Sequence, residues 1–361
     1  MTTKPFSVDD PTLSFLKSLQ RGDIRGVASL LLSRKLDPSV LGDFLVNERL
    51  AVYAYAQLAD LKLKLLLPRS VSSRLEEQWR QQQKRNSLLL EALGRIDAAF
   101  RQTGTDYLLL KGLTLAERCY GDTGRRFTWD LDLLVQAHEI QSALTLLQRL
   151  GFAKPGFSFG LDRLAPYVAH ALECRRADGL SVDLHWAFRR LPGLRIDYDT
   201  VWRARQFQTL RGIQVAVPSD EHTLLQVLLG VAADLDRGLC RMRALWDIYL
   251  LLCTTPDFDM AGFLARREPE GTAGLVVNAL ALLLFRLDCR DELPSLTKAL
   301  EGFHHLLFID SPEQASAILA RAPHGLQNHI LFSRWQPLAP WRYWSWWAAT
   351  LPLRFFFARR I

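Results

Sequence analysis

Asp130 and Asp132 stand two residues apart in the run Asp130-Leu131-Asp132-Leu133-Leu134-Val135. The alternation predicts a strand, and side chains two apart on a strand leave the same face, so two carboxylates project together. Such a pair repels itself and raises its own proton affinity unless a cation lies between, and hard oxygen ligands suit Mg²⁺. Three further Asp-x-Asp pairs, Asp197/Asp199, Asp234/Asp236 and Asp257/Asp259, lack the strand setting. A solvated or helix-capping role is expected for them. Asp183 lies in Ser181-Val182-Asp183-Leu184-His185-Trp186, where the two-residue period puts Asp183 and His185 on one face. That makes Asp183 a third carboxylate for the cation, or else the pair is the solvent side of an antiparallel strand. Lys111-Gly112 marks the change from an apolar strand to a helix, where a lysine cation and free helix N–H groups suit a phosphate. A strand-end lysine beside a turn glycine is the plainer reading of that dipeptide. Arg125 and Arg126 precede Asp130 in a loop, where a guanidinium fork takes phosphate oxygens or simply meets solvent.

The elements that must position these groups follow from periodicity. From about Thr12 to Thr103 the spacing of apolar residues predicts helices, interrupted at Pro68. Ser73 to Phe100 reads as one long helix, polar through Glu76–Asn86 and amphipathic from Leu88 onward. Tyr107–Lys111 is a strand followed by a helix to Tyr120, and Asp130–Val135 is a second strand followed by a helix ending at Gly151. Two hairpins follow. The strands of the first are 171–176 and 181–187, and those of the second are 206–210 and 213–217 about Arg211-Gly212. From Ser219 the chain is helical again. The expected fold class is α+β, a small mixed sheet flanked by helical regions. The expected division is a helical region 1–103, an α/β core 104–218, a helical domain 219–333 and a Trp/Arg-rich tail 334–361.

In order and spacing, the apolar strand ending in Lys111-Gly112, the helix with Tyr120, Arg126, Asp130 to Val135 and the strand Asp183-Leu184-His185-Trp186 resemble the uncharacterised bacterial nucleotidyltransferase family of the DNA polymerase β-like superfamily. The wider superfamily has Gly-Ser where this chain has Lys111-Gly112, which passes the serine's phosphate contact to the lysine or the backbone. The resemblance implies an enzyme that moves a nucleoside monophosphate from an NTP to a hydroxyl acceptor and releases pyrophosphate. In that picture Asp130, Asp132 and Asp183 are the catalytic residues and hold two Mg²⁺ ions. Lys111, Gly112, Arg125 and Arg126 bind the nucleotide, and His185 orients a carboxylate. Arg243 and Asp247, at helical i, i+4 spacing, are expected to form a structural ion pair.

Composition narrows the remaining classes. The 361 residues are 49% hydrophobic and 23% charged, which is the balance of a globular chain. Five dispersed cysteines without a Cys-x-x-Cys pair exclude a disulfide framework and a thiolate zinc site, so a cytoplasmic setting is expected. The formal charge is +7, and the six arginines beyond Glu313 leave only +1 for the first 313 residues. A body-wide basic surface is absent, and no specific nucleic acid partner is expected. The longest uncharged run, Gly271–Phe285, has 15 residues, too few for a membrane span. Half of the ten tryptophans fall in the last 27 residues among arginines, which suits either peripheral contact with the inner face of a membrane or packing onto the helical domain. Two other functions stay open: a catalytically silent nucleotide-binding or antitoxin-like partner, and a peripheral membrane scaffold in a polysaccharide or peptide-modification pathway.

Overall fold

Aspartates open three of the first four helices. Asp10, Asp23 and Asp37 each accept a backbone N–H of the first turn of α1 (Pro11–Gln20), α2 (Ile24–Leu32) and α3 (Pro38–Asn47). The fourth, α4 (Ala51–Asp60), is apolar almost all round and buries seven of its ten residues. The structure, a computed structural model, describes residues 10–33, 35–153, 169–191 and 193–319, together with 334, 335, 341, 342, 344, 345 and 348.

Helix α5 runs for 35 residues from Arg69, just after Pro68, to Thr103, and Gly104 ends it in the left-handed region at φ 71°. Its buried stripe is Val71, Leu75, Gln82, Asn86, Leu89, Leu93, Ile96 and Phe100, at spacings of three, four and seven. The polar stretch is therefore not a wet end: two of its amides continue the buried face.

Next come β1 (Leu108–Leu109), α6 (Leu113–Tyr120), β2 (Leu131–Leu134) and α7 (Ile140–Arg149). The hairpin strands are β3 (Ala171–Arg175) and β4 (Ser181–His185). The four strands form one mixed sheet in the order β1-β2-β4-β3. Within it β2 and β4 are parallel, and the outer pairs are antiparallel. Alternation divides the sheet between two apolar clusters. Leu109, Leu131, Leu133, Val182 and Leu184 pack with Leu89, Leu93 and Ile96 of α5 and Leu144 and Leu147 of α7. Leu108, Leu110 and Leu134 turn the other way and join the core shared by the N-terminal and C-terminal helices. The residues between Leu131 and Leu133, and between Val182 and Leu184, consequently face the C-terminal helices.

After the short α8 (Tyr198–Arg203), β5 (Gln206–Leu210) and β6 (Ile213–Val217) make a separate two-stranded ribbon with the expected bounds. The C-terminal helices are α9 (Asp220–Arg237), α10 (Met242–Cys253), α11 (Met260–Arg267), α12 (Ala273–Leu287), α13 (Pro294–Glu301) and α14 (Pro312–Leu319). Asp197 caps α8 and Asp259 caps α11, as expected for those Asp-x-Asp pairs. Among the described residues no helix is long and apolar enough to cross a membrane. Most of 334–361, on which the expected membrane contact falls, lies outside the described residues. Of those described, Trp335 is buried in the helical core and Trp344 packs against it, while Trp341 is exposed.

Candidate active site

The parallel register sets Asp132 directly beside Asp183, and Leu134 beside His185. Because the neighbouring leucines and valine are committed to the α5 side, Asp132, Asp183 and His185 all leave the opposite face. Each offers one ligand atom, and these atoms lie within 4.8 Å of one another. His185 Nε2 is 3.0 Å from Asp132 Oδ1, and Lys111 Nζ is 3.5 Å from the same oxygen. A carboxylate only accepts, so Nε2 carries a proton.

Two atoms at this place are buried without a partner, Asp132 Oδ2 and His185 Nδ1. Buried polar groups are ordinarily satisfied, so a carboxylate oxygen left open beside a second carboxylate fits a cation. The electrostatics agree. Burial, then repulsion by Asp132, raises the Asp130 carboxyl to about 6. Burial, then Asp132 and Asp130, raises Asp183 to about 7. Burial opposes ionisation of Asp132 as well, but Lys111 and the His185 hydrogen bond outweigh it and hold that carboxyl well below its usual range. Asp132 in turn holds the Lys111 ammonium above its ordinary value, against burial. Two carboxylates and an imidazole around an unsatisfied oxygen can hold a divalent cation.

The compact donor set differs from the expected one. Asp130 precedes the first paired residue of β2, in a bend, and is not in the group of three; His185 takes that place because its ring reaches across the ladder. Gly112 caps α6 with φ 85°, a conformation that glycine adopts freely, and a Cβ there would lie 3.3 Å from the Thr128 methyl. Neither arginine stands free over the site. Arg125 pairs with Asp60 of α4 at 2.7 Å. Arg126 is 4% exposed and forks onto Asp247 of α10, with Nε at 2.8 Å from Oδ1 and Nη2 at 2.7 Å from Oδ2. Tyr120 donates to Asp247 at 2.6 Å. The expected i, i+4 pair is the weaker contact, with Arg243 at 3.4 Å from Asp247.

The side chains of α5 that hold the loop ahead of β2 were not among the expected residues. Gln82 donates to the Thr128 carbonyl at 2.6 Å, Gln83 to Gly124 at 2.7 Å and Asn86 to Thr123 at 2.5 Å. Arg85 donates to the Trp129 carbonyl through Nε and Nη2, and its guanidinium carbon lies 3.7 Å over the Trp129 ring. Their signal in the sequence is phase, since Gln82 and Asn86 fall on the same stripe as Leu89 and Leu93. Asp234 of α9 was expected to be solvated or a cap. It is half-buried instead, and burial, opposed by Lys111, Arg237 and Arg243, raises its carboxyl.

The family described as uncharacterised nucleotidyltransferase matches residues 34–285. No curated protein matches the chain. Among solved structures the chain is similar to the lincomycin-bound lincosamide antibiotic adenylyltransferase LnuA, at 16% identity over 46% of this chain and 97% of that one, with a TM-score of 0.33. It is similar to the antibiotic-resistance factor ANT(2'')-Ia, at 13% identity over 61% and 98%, with a TM-score of 0.34. It is also similar to an antigenic nucleotidyltransferase-like protein from Paracoccidioides brasiliensis, at 19% identity over 60% and 91%, with a TM-score of 0.32.

Proposed function

The chain belongs to the uncharacterised nucleotidyltransferase family, and from that membership we propose that it transfers a nucleoside monophosphate from an NTP to a hydroxyl acceptor in a Mg²⁺-dependent reaction that releases pyrophosphate. The observation that carries this reading is the parallel pairing of Asp132 with Asp183, with Asp132 Oδ2 buried and unsatisfied while Oδ1 meets Lys111. Asp132 and Asp183 would hold the metal, two Mg²⁺ ions in all, with Asp130 beside them. When bound, Mg²⁺ neutralises the triphosphate and polarises the α-phosphate.

The chain's own groups do the rest. His185 donates to Asp132 Oδ1 and so keeps Oδ2 turned toward the site. Asp183, beside Asp132 across the parallel ladder, takes the proton of the acceptor hydroxyl. The acceptor oxygen forms its bond to the α-phosphorus as the bond to the β-bridging oxygen breaks, and pyrophosphate leaves with that electron pair. Lys111, whose side chain is 43% exposed, moves from Asp132 to the charge on the departing phosphates. In this scheme 104–218 is the catalytic core, and of the C-terminal domain 219–333 the described helices pack on the core.

The test is incubation of the full chain with each α-labelled NTP, Mg²⁺ and a cell extract. Label should move to an acceptor, and Asp132→Asn should reduce the rate by about a hundredfold or more. Nucleotide binding without transfer by the folded protein would favour a silent nucleotide-binding role, and neither binding nor transfer would refute the proposal.

A further inference from the structure

Alternation along β3 extends the carboxylate row by one residue. Leu172 and Cys174 pack in the cluster on the α5 side, so Glu173 between them leaves the face shared by Asp132 and Asp183. The antiparallel register pairs Glu173 directly with Asp183, and the parallel register pairs Asp183 with Asp132. Three acids therefore lie in one line across β2, β4 and β3, neighbouring strands being about 4.8 Å apart. Like charges directly opposite one another destabilise a sheet. Glu173 does not escape this by turning into water, since its side chain is only 12% exposed. The same line contains Asp132 Oδ2, buried without a partner on a side chain that is 2% exposed. A buried, unsatisfied oxygen in such a line points to a ligand lying along it.

The two ends of the line differ. At the β2 end Lys111 meets Asp132, where the nucleotidyltransferase reading puts the phosphates. At the β3 end Arg175, two residues beyond Glu173, donates to Glu173 Oε2 at 2.8 Å from a side chain that is 69% exposed. A single contact from a guanidinium standing mostly in water is a weak hold. With phosphates at one end and the proton-accepting Asp183 in the middle, the β3 end is left for the body of the acceptor.

We propose that Glu173 positions the acceptor by taking a hydrogen bond from a second donor that stands beside the attacked hydroxyl. The acceptor class is then a small polar molecule with neighbouring donors, either two hydroxyls or a hydroxyl and an amine. This rests on the nucleotidyltransferase reading and adds the substrate class to it. Arg175 holds the place of that donor while no acceptor is bound. Loss of Glu173 therefore acts on the acceptor and not on the nucleotide.

The test is transfer of label from an α-labelled NTP by the full chain in Mg²⁺, over a dilution series of the small-molecule filtrate of a cell extract. Glu173→Ala should raise the filtrate concentration for half-maximal transfer by about tenfold or more, with the Michaelis constant for the NTP unchanged. Glu173→Gln keeps an acceptor oxygen and should recover part of that loss, and Arg175→Ala should not raise the concentration at all. Equal harm from Glu173→Ala and Arg175→Ala would mean an ion pair that serves the strand alone, and overturns the proposal. So does an unchanged half-maximal concentration in Glu173→Ala, or in Glu173→Gln if the alanine variant does not fold. Treating the filtrate beforehand with periodate, which cleaves neighbouring hydroxyls, or with acetic anhydride, which caps amines, separates the two sources of the donor. Acceptor activity lost to periodate alone supports a diol, and activity lost to the anhydride supports an amine. Activity lost to neither, or found only in the macromolecular fraction, overturns the acceptor class. Wild-type protein that transfers no label with whole extract refutes the nucleotidyltransferase reading itself.

Discussion

Replacing Asp247 by Asn removes one charge from the junction between the loop ahead of β2 and the C-terminal helices. The side chain is 5% exposed and that of Arg126 is 4% exposed, so neither has water to fall back on. Burial alone would push the Asp247 carboxyl up; the Arg126 guanidinium outweighs it and holds the group below its usual range. The amide keeps the shape and the Tyr120 contact but leaves Arg126 and Arg243 facing one another uncompensated. Breaking a buried pair from one side costs about 3–5 kcal/mol. At the lower end of about 2–4 °C per kcal/mol, fitting for a chain of this length, the melting temperature should fall by roughly 6–10 °C at pH 7. The sign with pH follows from the depressed folded-state value: the wild-type contribution is present above the unfolded carboxylate range and is lost as pH falls below it. Scanning calorimetry of both proteins should therefore show a gap that narrows from pH 5 toward pH 3. The double variant Arg126→Met/Asp247→Leu should be less damaged than Asp247→Asn, since the most buried charge goes with its partner and only the less buried Arg243 is left unpaired. A shift under about 2 °C at pH 7, or a gap that widens in acid, would refute the reasoning.

Asp183 and Asp130 hold their protons more tightly in the fold than in an unfolded chain, at about 7 and about 6. The stability this gives is full below the unfolded carboxylate range, near pH 4, and is lost as pH rises through those values. In EDTA at pH 7.5, Asp183→Asn should melt higher than wild type, by an amount that shrinks toward pH 4, and Mg²⁺ should reverse the order at pH 7.5; a variant no more stable than wild type in EDTA contradicts this. Asn86→Ala leaves the Thr123 carbonyl and the Gln82 amide short of a partner, at about 1–3 kcal/mol. Hydrogen exchange should speed up at residues 122–130 and not at β5–β6, and equal exchange at both would speak against α5 as the holder of that loop.

Local chemistry made much of this readable in advance. The β5–β6 hairpin has its expected bounds because Arg211-Gly212 is a two-residue turn between alternating runs, and it is short-range by nature. The sheet strands were legible for the same reason, although β1 pairs over only two residues of its apolar run. What escaped reading depends on partners far away in the chain. Arg126 resembles a surface cation until Asp247, 121 residues later, is folded against it. Gln82 and Asn86 look like solvent-facing helix residues, because amides are usually outside; only the carbonyls of a loop some 40 residues on make a buried position good for them. His185 displaced Asp130 from the compact donor group for a geometric reason. The ladder begins at Leu131, so a residue before it is free to bend away, whereas one two places beyond Asp183 is held in register.

The parallel neighbourhood of β2 and β4 also fixes when the candidate donor group comes together. The His185–Asp132 contact closes a loop of 53 residues, and parallel strands cannot be joined by a tight turn. Closure of such a loop is entropically unfavourable and slow compared with local helix formation. During synthesis, a chain halted before Ser181 has both early aspartates and the lysine but no cage for a divalent ion. On the proposed function, ion affinity would be a marker of completed topology.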